Sequence, residues 1–338
     1  MIRVVVWKVN GLGDFVSFLP TLLRLIDAYG IENILFVLSP ISYEVLKIYC
    51  VPTHYILISR DRLIRLYKRP FRLWQLSLKI KFFRADKAYF TFDECSSAYL
   101  TSFLAGIPHR IGYDSKIAFT QLLLTEKLSL PADKNIYDIH AVLVDEGVMN
   151  KKSNIRSEIV PLPHNIRDEV LFHEPYIVIH PFAQFQYREW HIDNYLRLAC
   201  MIEEQLDIRT VVIGEEKHIH WFDNYSYKRQ LNNTIRDLFD IIANCMLYVG
   251  NNSGPMHIAI VNQVPFLSIE GPSASNWGPN SNLRHKRLRS SGLRCAPCET
   301  IYSVPMKCKN TELPNGCLKS ITVEEVFKEV CKLLNALK

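Results

Sequence analysis

Short apolar runs alternate along the chain with longer stretches whose apolar positions recur every three or four residues. IRVVVWKV at 2–9 predicts a strand that runs into a turn, FVSFLPTLLRLIDAYG at 15–30 a helix ending at Gly30, and NILFVLS at 33–39 a second strand. KAYFTFD (87–93) and HRIGYD (109–114) continue the pattern. A second series begins at EPYIVIHP (174–181). It runs through a helix at 192–206, a strand at 208–216, a helix at 234–245, and strands at 246–250 and 264–272. An amphipathic helix is predicted at 321–338. Strands alternating with helices imply parallel sheets covered on both faces, so the expected class is α/β. Two series joined near 160–175 imply two Rossmann-like domains, 1–165 and 166–338, the second carrying a Cys-rich segment at 295–317. Ligands of open parallel sheets sit beyond the carboxyl ends of the strands, which puts the expected site in a cleft between the two domains.

Two turns carry candidate chemistry. The apolar run that ends at Gly250 stops at Asn251-Asn252-Ser253-Gly254-Pro255 and resumes at Met256 with helical spacing. Such a strand–turn–helix junction leaves backbone N–H groups unpaired where the helix dipole also favours an anion, so a bound phosphate is expected. The plainer alternative is an ordinary βα turn with a good N-cap. The other turn, Gly11-Leu12-Gly13-Asp14, lacks the third glycine of a dinucleotide fingerprint and sets a carboxylate where a pyrophosphate would want none. Asp14 is then either a general base or a helix cap.

A carboxylate on one domain and a phosphate-cradling turn on the other suit transfer from a nucleotide-activated donor. The second domain would hold the nucleotide, and the first would deprotonate an acceptor hydroxyl. No DxD metal motif is present, so the charge of a diphosphate leaving group falls to basic side chains and N–H groups. HPFAQFQYREWH (180–191) offers Arg188, Gln184 and Gln186, or else is a surface loop with Trp190 in the core. His180 and His257 are either phosphate donors or packed structural histidines, and one of Glu215 and Glu216 is a candidate for ribose or base contact.

Charge narrows the partner. The 338 residues carry a net +6, yet 60–87 alone holds ten basic residues against Asp61 and Asp86, interleaved with aromatics such as Tyr67, Phe71, Trp74 and Phe82. That segment reads as a contact for a membrane surface or another polyanion, or as a solvated helix face. No nucleic-acid module accompanies it, and no nucleic-acid partner is expected. No apolar run is long enough to span a membrane and the first residues do not form a signal peptide, so a cytoplasmic location is expected, peripheral at the inner membrane. Nine cysteines then read as thiols or metal ligands. Cys295, Cys298, Cys308 and Cys317 could close a tetrahedral structural Zn or Fe site, or remain reduced thiols; Cys50, Cys95, Cys200, Cys245 and Cys331 are expected in the core.

Taken together, the chain resembles glycosyltransferase family 9, the ADP-heptose heptosyltransferases of lipopolysaccharide core synthesis. The resemblance is carried by Gly11, Gly13, Asp14 and Pro20, by LAGIPHRIGYD (104–114), by HP…REW (180–190) and by VVIGEE (211–216), then by VGNNSGPMHIA (249–259) and GPSASNWGP (271–279). It implies a GT-B fold and an inverting, metal-independent transfer that needs no catalytic cofactor. The implied reaction moves heptose from ADP-heptose onto the lipopolysaccharide core or a related anionic acceptor, a glycolipid or a protein. The resemblance puts the base on Asp14 and a phosphate-contacting cation on Arg188. The nucleotide turn falls on Asn252, Ser253 and Gly254, followed by Pro255, Met256 and His257; Gly13, His180 and Glu215 complete the expected donor-binding set. Asn252 stands where the family has aspartate, Arg188 where it has lysine, and Phe182 where it often has glycine. Relatives that glycosylate autotransporter proteins carry an iron-bearing finger resembling 295–317. Rival readings are an autotransporter-type protein acceptor, a non-catalytic nucleotide-sugar-binding protein, and a sugar-nucleotide epimerase of similar two-domain shape.

Overall fold

The computed structural model describes residues 1–114, 118–148, 174–215, 228–231, 234–290 and 293–337. The chain divides into two compact units, Met1–Val160 and Pro161–Lys338. The boundary read at 165/166 and most of the 160–175 joint lie outside the described residues, as does Glu216.

In the first unit, strands β1 (Val4–Lys8), β2 (Ile34–Leu38), β3 (His54–Leu57), β4 (Lys87–Phe90), β5 (His109–Tyr113) and β6 (Glu126–Leu128) form one sheet in the order β3-β2-β1-β4-β5-β6. In the second, β7 (Tyr176–His180), β8 (Arg209–Gly214), β9 (Lys228–Leu231), β10 (Leu247–Asn251), β11 (Phe266–Ile269) and β12 (His285–Leu288) form another in the order β12-β11-β10-β7-β8-β9. Every recorded strand pairing in both is parallel. β1, β2, β10 and β11 are buried at every position, and β7 nearly so. This is why they read as largely apolar runs, since a parallel strand is covered on both faces.

Helices α1 (Leu12–Tyr29), α2 (Pro40–Tyr49), α3 (Arg60–Ile64), α4 (Pro70–Phe83), α5 (Ser96–Leu104), α6 (Ala118–Leu123) and α7 (Ile136–Asp145) belong to the first unit. α8 (Ile192–Leu206), α9 (Ile235–Ala243), α10 (Gly254–Val261), α11 (Gly316–Lys319) and α12 (Val323–Ala336) belong to the second. α8 matches its apolar pattern to the residue. α1 starts three residues before the expected position, because Gly11 is already its N-cap and Asp14 lies in its first turn. In the second unit α8 and α12 close over Ile179, Val249, Leu267 and Trp190, all buried. In the first, β1 and β4 pack Trp7 and Phe90 against α4 and α5. Of the five cysteines expected in the core, only Cys245 is fully buried; Cys50, Cys95, Cys200 and Cys331 are half-buried, at helix ends and sides where one flank faces solvent. Among the described residues no helix is long and apolar enough to cross a membrane.

Candidate functional site

Each sheet, numbered within its own unit, has the order 3-2-1-4-5-6. Connections leave strands 1 and 4 in opposite directions, so a crevice opens between their carboxyl ends, the usual ligand position in such sheets. The first unit has that point after β1 and β4; the second has it after β7 and β10.

Beyond β1 and β4 the first unit gathers its buried charge. Lys8 is fully buried and holds Asp93 in a two-pronged ion pair, Nζ to Oδ1 at 2.9 Å and to Oδ2 at 2.8 Å. Asn10 donates its amide to the same carboxylate, Thr91 adds its hydroxyl at 2.6 Å, and Arg60 donates Nη2 to the Asp93 carbonyl at 3.1 Å. Burial alone would raise Asp93, but the Lys8 ammonium outweighs it and holds the carboxyl well below its usual range. Asp14 is half-buried at the third position of α1, in the first turn of the helix next to Gly11. Burial pushes its pKa up, Asp93 pushes it further, and Lys8 and Arg60 pull it down. A carboxylate made more basic by its surroundings is better suited to take a proton near neutral pH. Glu94 accepts the Val9 N–H at 3.0 Å and is pushed up to about 7 by burial and by Asp93. Sequence reasoning passed over Lys8, Asp93 and Glu94; the signal was the single lysine in the otherwise apolar β1 and the acidic pair closing the β4 segment.

Beyond β7 and β10 the second unit sets the expected nucleotide turn. Asn251 is fully buried and ties three elements together: its Oδ1 accepts from Trp190 N at 3.0 Å and from the Tyr195 hydroxyl at 2.9 Å, and its Nδ2 donates to the Pro181 carbonyl at 2.7 Å. At Gly250 a Cβ would stand 2.7 Å from the His180 carbonyl, so β10 passes β7 too closely for a side chain. Ser253 is the N-cap of α10 but makes no cap bond; its hydroxyl meets His180 Nδ1 at 3.1 Å and the Asn251 carbonyl at 3.3 Å. His180, Ser253, Gly254 and Pro255 therefore come together at one helix start. Met256 and His257 point from that helix into the interior, Met256 wholly buried and His257 nearly so. Burial, then the Arg287 charge, lowers His257 to about 4, which leaves it neutral at physiological pH. Glu215 is exposed just past the end of β8, and Gly13 lies in the first unit beside Asp14.

Asn252 is buried and donates its amide to Glu270 Oε1 at 3.1 Å. Glu270, fully buried just past β11, also takes Arg287 in a two-pronged pair (2.8 and 2.7 Å), Arg289 at 2.7 Å and the Ser268 hydroxyl at 2.8 Å. Burial would raise its pKa; Arg287 outweighs burial and lowers it. The buried carboxylate in this corner thus belongs to β11, and the turn presents an amide to it. Arg188 follows a short turn after β7 and gives Nε to Glu299 Oε1 at 2.6 Å, while the Tyr187 hydroxyl bonds the same oxygen at 2.7 Å. Trp190 is buried in the core, as the plainer reading of its loop expected, with its indole N–H on the Ile321 carbonyl at 3.0 Å. None of Glu270, Arg287, Arg289 and Glu299 was singled out by motif.

Cys295, Cys298, Cys308 and Cys317 line one cavity with Tyr187 and Pro272. Cys308 Sγ accepts from Asn315 N at 3.4 Å and donates to the Asn310 carbonyl at 3.7 Å, and Asn310 Nδ2 donates to Cys295 Sγ at 3.7 Å. Burial, then the neighbouring thiols, pushes Cys317 up to about 11. Among the described residues no group of three or more His, Cys, Asp or Glu is set as a metal site, so an expected Zn or Fe has only the convergence of the four thiols on its side.

The profile of glycosyltransferase family 9 (heptosyltransferase) matches residues 73–308. Lipooligosaccharide heptosyltransferase 2 of Campylobacter jejuni is 25% identical over 165 residues, 46% of this chain and 50% of that protein, so the chain matches half of its length. Lipopolysaccharide heptosyltransferase 2 of Escherichia coli K12 is 24% identical over 282 residues, 74% of this chain and 76% of that protein. The solved structure of the E. coli ADP-heptose lps heptosyltransferase II is similar over 99% of both chains, with a TM-score of 0.72 at 19% identity.

Proposed function

The chain belongs to glycosyltransferase family 9 and is a glycosyltransferase of α/β, GT-B fold, and from that premise we propose that it moves heptose from ADP-heptose onto a lipopolysaccharide-core acceptor. The observation that carries this reading is the recurrence of one strand order in both units, with Asp14 at the first crevice and the Asn252–Gly254 turn at the second. The relatives named above are a lipooligosaccharide and a lipopolysaccharide heptosyltransferase, and the solved neighbour is described as an ADP-heptose lps heptosyltransferase.

Asp14 takes the proton of the acceptor hydroxyl as its oxygen attacks the anomeric carbon of the donor. The bond from that carbon to the diphosphate breaks on the opposite face, ADP departs with the electron pair, and the configuration inverts. The elevated basicity of Asp14 supports its role. Arg188, His180 and the N–H groups at the start of α10 meet the charge that grows on the diphosphate; Asn252, Ser253, Pro255, Met256 and His257 form the turn and its support, and Glu215 reaches the ribose or base. No metal takes part in the transfer. A structural Zn or Fe on Cys295, Cys298, Cys308 and Cys317 belongs to the same reading, as does a cytoplasmic location. The acceptor is membrane-borne, so the reading includes contact of 60–87 with a membrane surface.

Calorimetric titration of the purified chain with ADP, UDP and GDP tests the donor. Preference for ADP is the expected result; preference for another base would overturn the donor and keep the fold, and no nucleotide binding would favour a non-catalytic scaffold.

A further inference from the structure

Helix α4 is apolar on two opposite faces. Leu73, Leu76 and Ile80 are buried in the core of the first unit. At 3.6 residues per turn, Phe71, Trp74, Leu78 and Phe82 fall on the other side of the same helix. Three of them are open to solvent: Phe71 at 66%, Trp74 at 54% and Phe82 at 82%. The Phe71 and Trp74 rings lie 6.1 Å apart and support each other. A surface helix ordinarily has one apolar stripe, toward its core; the second stripe, about 16 Å long from Phe71 to Phe82, is not required for folding. Arg72 and Lys79 are exposed on one flank of it and Lys81 on the other. The turns before α4 continue the arrangement, with exposed Ile64 and Tyr67 among Arg62, Arg65 and Lys68.

We propose that this outward stripe docks on an anionic lipid surface, with Phe71, Trp74 and Phe82 seated at the headgroup–acyl boundary and Arg72, Lys79 and Lys81 on headgroup phosphates. Aromatic rings prefer that boundary, and long basic side chains reach back from it to the phosphates. The charge selects the partner. A second copy of the chain would bring the same cationic segment against itself, whereas an anionic leaflet attracts each lysine and arginine near it. The proposal rests on the enzymatic reading only in that the acceptor there is membrane-borne; its evidence is the helix itself.

Sedimentation of the full chain with phosphatidylcholine vesicles, with and without phosphatidylglycerol, tests it. Binding to the anionic vesicles at least ten-fold tighter than to the neutral ones, weakened by salt, is expected. The triple variant Phe71→Ser, Trp74→Ser, Phe82→Ser should lose about ten-fold or more at low salt, and Arg72→Glu with Lys79→Glu a similar amount. Unchanged melting temperature and ADP binding in both variants show that the unit and the donor turn are intact. Equal binding to both vesicle types, or to neither, overturns the proposal. So does a serine variant that binds anionic vesicles like the parent, or a parent dimer that the serine substitutions dissolve. Loss of the donor reading in the nucleotide titration would leave the vesicle result standing on its own.

Discussion

Arg188 and Glu299 meet across 111 residues of sequence, Nε to Oε1 at 2.6 Å, and together with the Tyr187 hydroxyl on the same oxygen this contact ties the turn after β7 to the Cys-rich segment. Glu299 is fully buried and its backbone N–H is bound to the Pro272 carbonyl at 3.1 Å, so the carboxylate is fixed from behind. Replacing it with glutamine keeps an acceptor for Tyr187 and removes the charge facing Arg188. Glu299→Gln should lower stability by about 1–3 kcal/mol and weaken donor binding more than it slows turnover. Urea unfolding together with separate kcat and KM values measures both; unaltered donor affinity would detach Arg188 from the phosphate.

Asp14→Asn should reduce transfer by about 10²–10⁴-fold and leave ADP affinity within a factor of two or so, because asparagine keeps the size of the side chain and the nucleotide turn belongs to the second unit. An assay with donor and acceptor beside a nucleotide titration separates the roles. Loss of folding instead would make Asp14 a cap and nothing more.

The acid limb of kcat/KM should lie above the ordinary aspartate range, since the proposed base Asp14 acts only when deprotonated and its pKa is raised. Asp93 contributes to that rise, while Lys8, now paired with Asp93, opposes it. Asp93→Asn removes the carboxylate and leaves Lys8 unopposed. Both effects lower the pKa of Asp14, so the acid limb should move to lower pH in this variant. A limb that moves up, or stays, contradicts the assignment.

Glu94 titrates at about 7 in the folded chain against an ordinary value near 4.5, so the folded state holds its proton more tightly. Its contribution to stability is complete below the unfolded value and is lost as pH rises through 7. Glu94→Gln fixes the neutral form. The difference in unfolding free energy between variant and parent should grow in favour of the variant from pH 4.5 to 7, by on the order of 3 kcal/mol at most. Denaturant midpoints at pH 5 and pH 8 read it; a constant difference would mean that Glu94 is ionised throughout.

Metal analysis of protein purified without added metal or chelator should find about one Zn or Fe per chain. Cys298→Ser with Cys317→Ser should then release it and lower the melting temperature. A metal-free parent with full stability would leave the four cysteines as packed thiols.

The parts that were legible in the sequence are those where burial dictates composition. β1, β7 and β10 announce themselves because a strand covered on both faces is apolar up to its carboxyl end, where Lys8, His180 and Asn251 stand, and α8 because its pattern keeps one period from Ile192 to Leu206. The start of α1 was misplaced because Gly11-Leu12-Gly13 looks like a turn, whereas Gly11 alone forms the cap and the helix proceeds through Gly13. Within 60–87 a membrane contact and a solvated helix face stay side by side as alternatives, because the two apolar faces of α4 blur the amphipathic period that one face would have given. Glu270 and Glu299 were invisible for another reason: their partners are 17 and 111 residues away, and no local pattern reports a charge pair made by folding. The helix start at Ser253 was legible because Asn-Ser-Gly-Pro between two apolar runs already specifies one.

Asn251 commits three of its four side-chain hydrogen bonds to the protein, binding Trp190, Tyr195 and Pro181 before any ligand arrives. The turn that follows it is thus ordered in advance, and the conformational entropy of fixing that backbone is lost during folding. A nucleotide arriving there would meet a rigid cradle, and the flexible partner in catalysis would have to be sought elsewhere in the molecule.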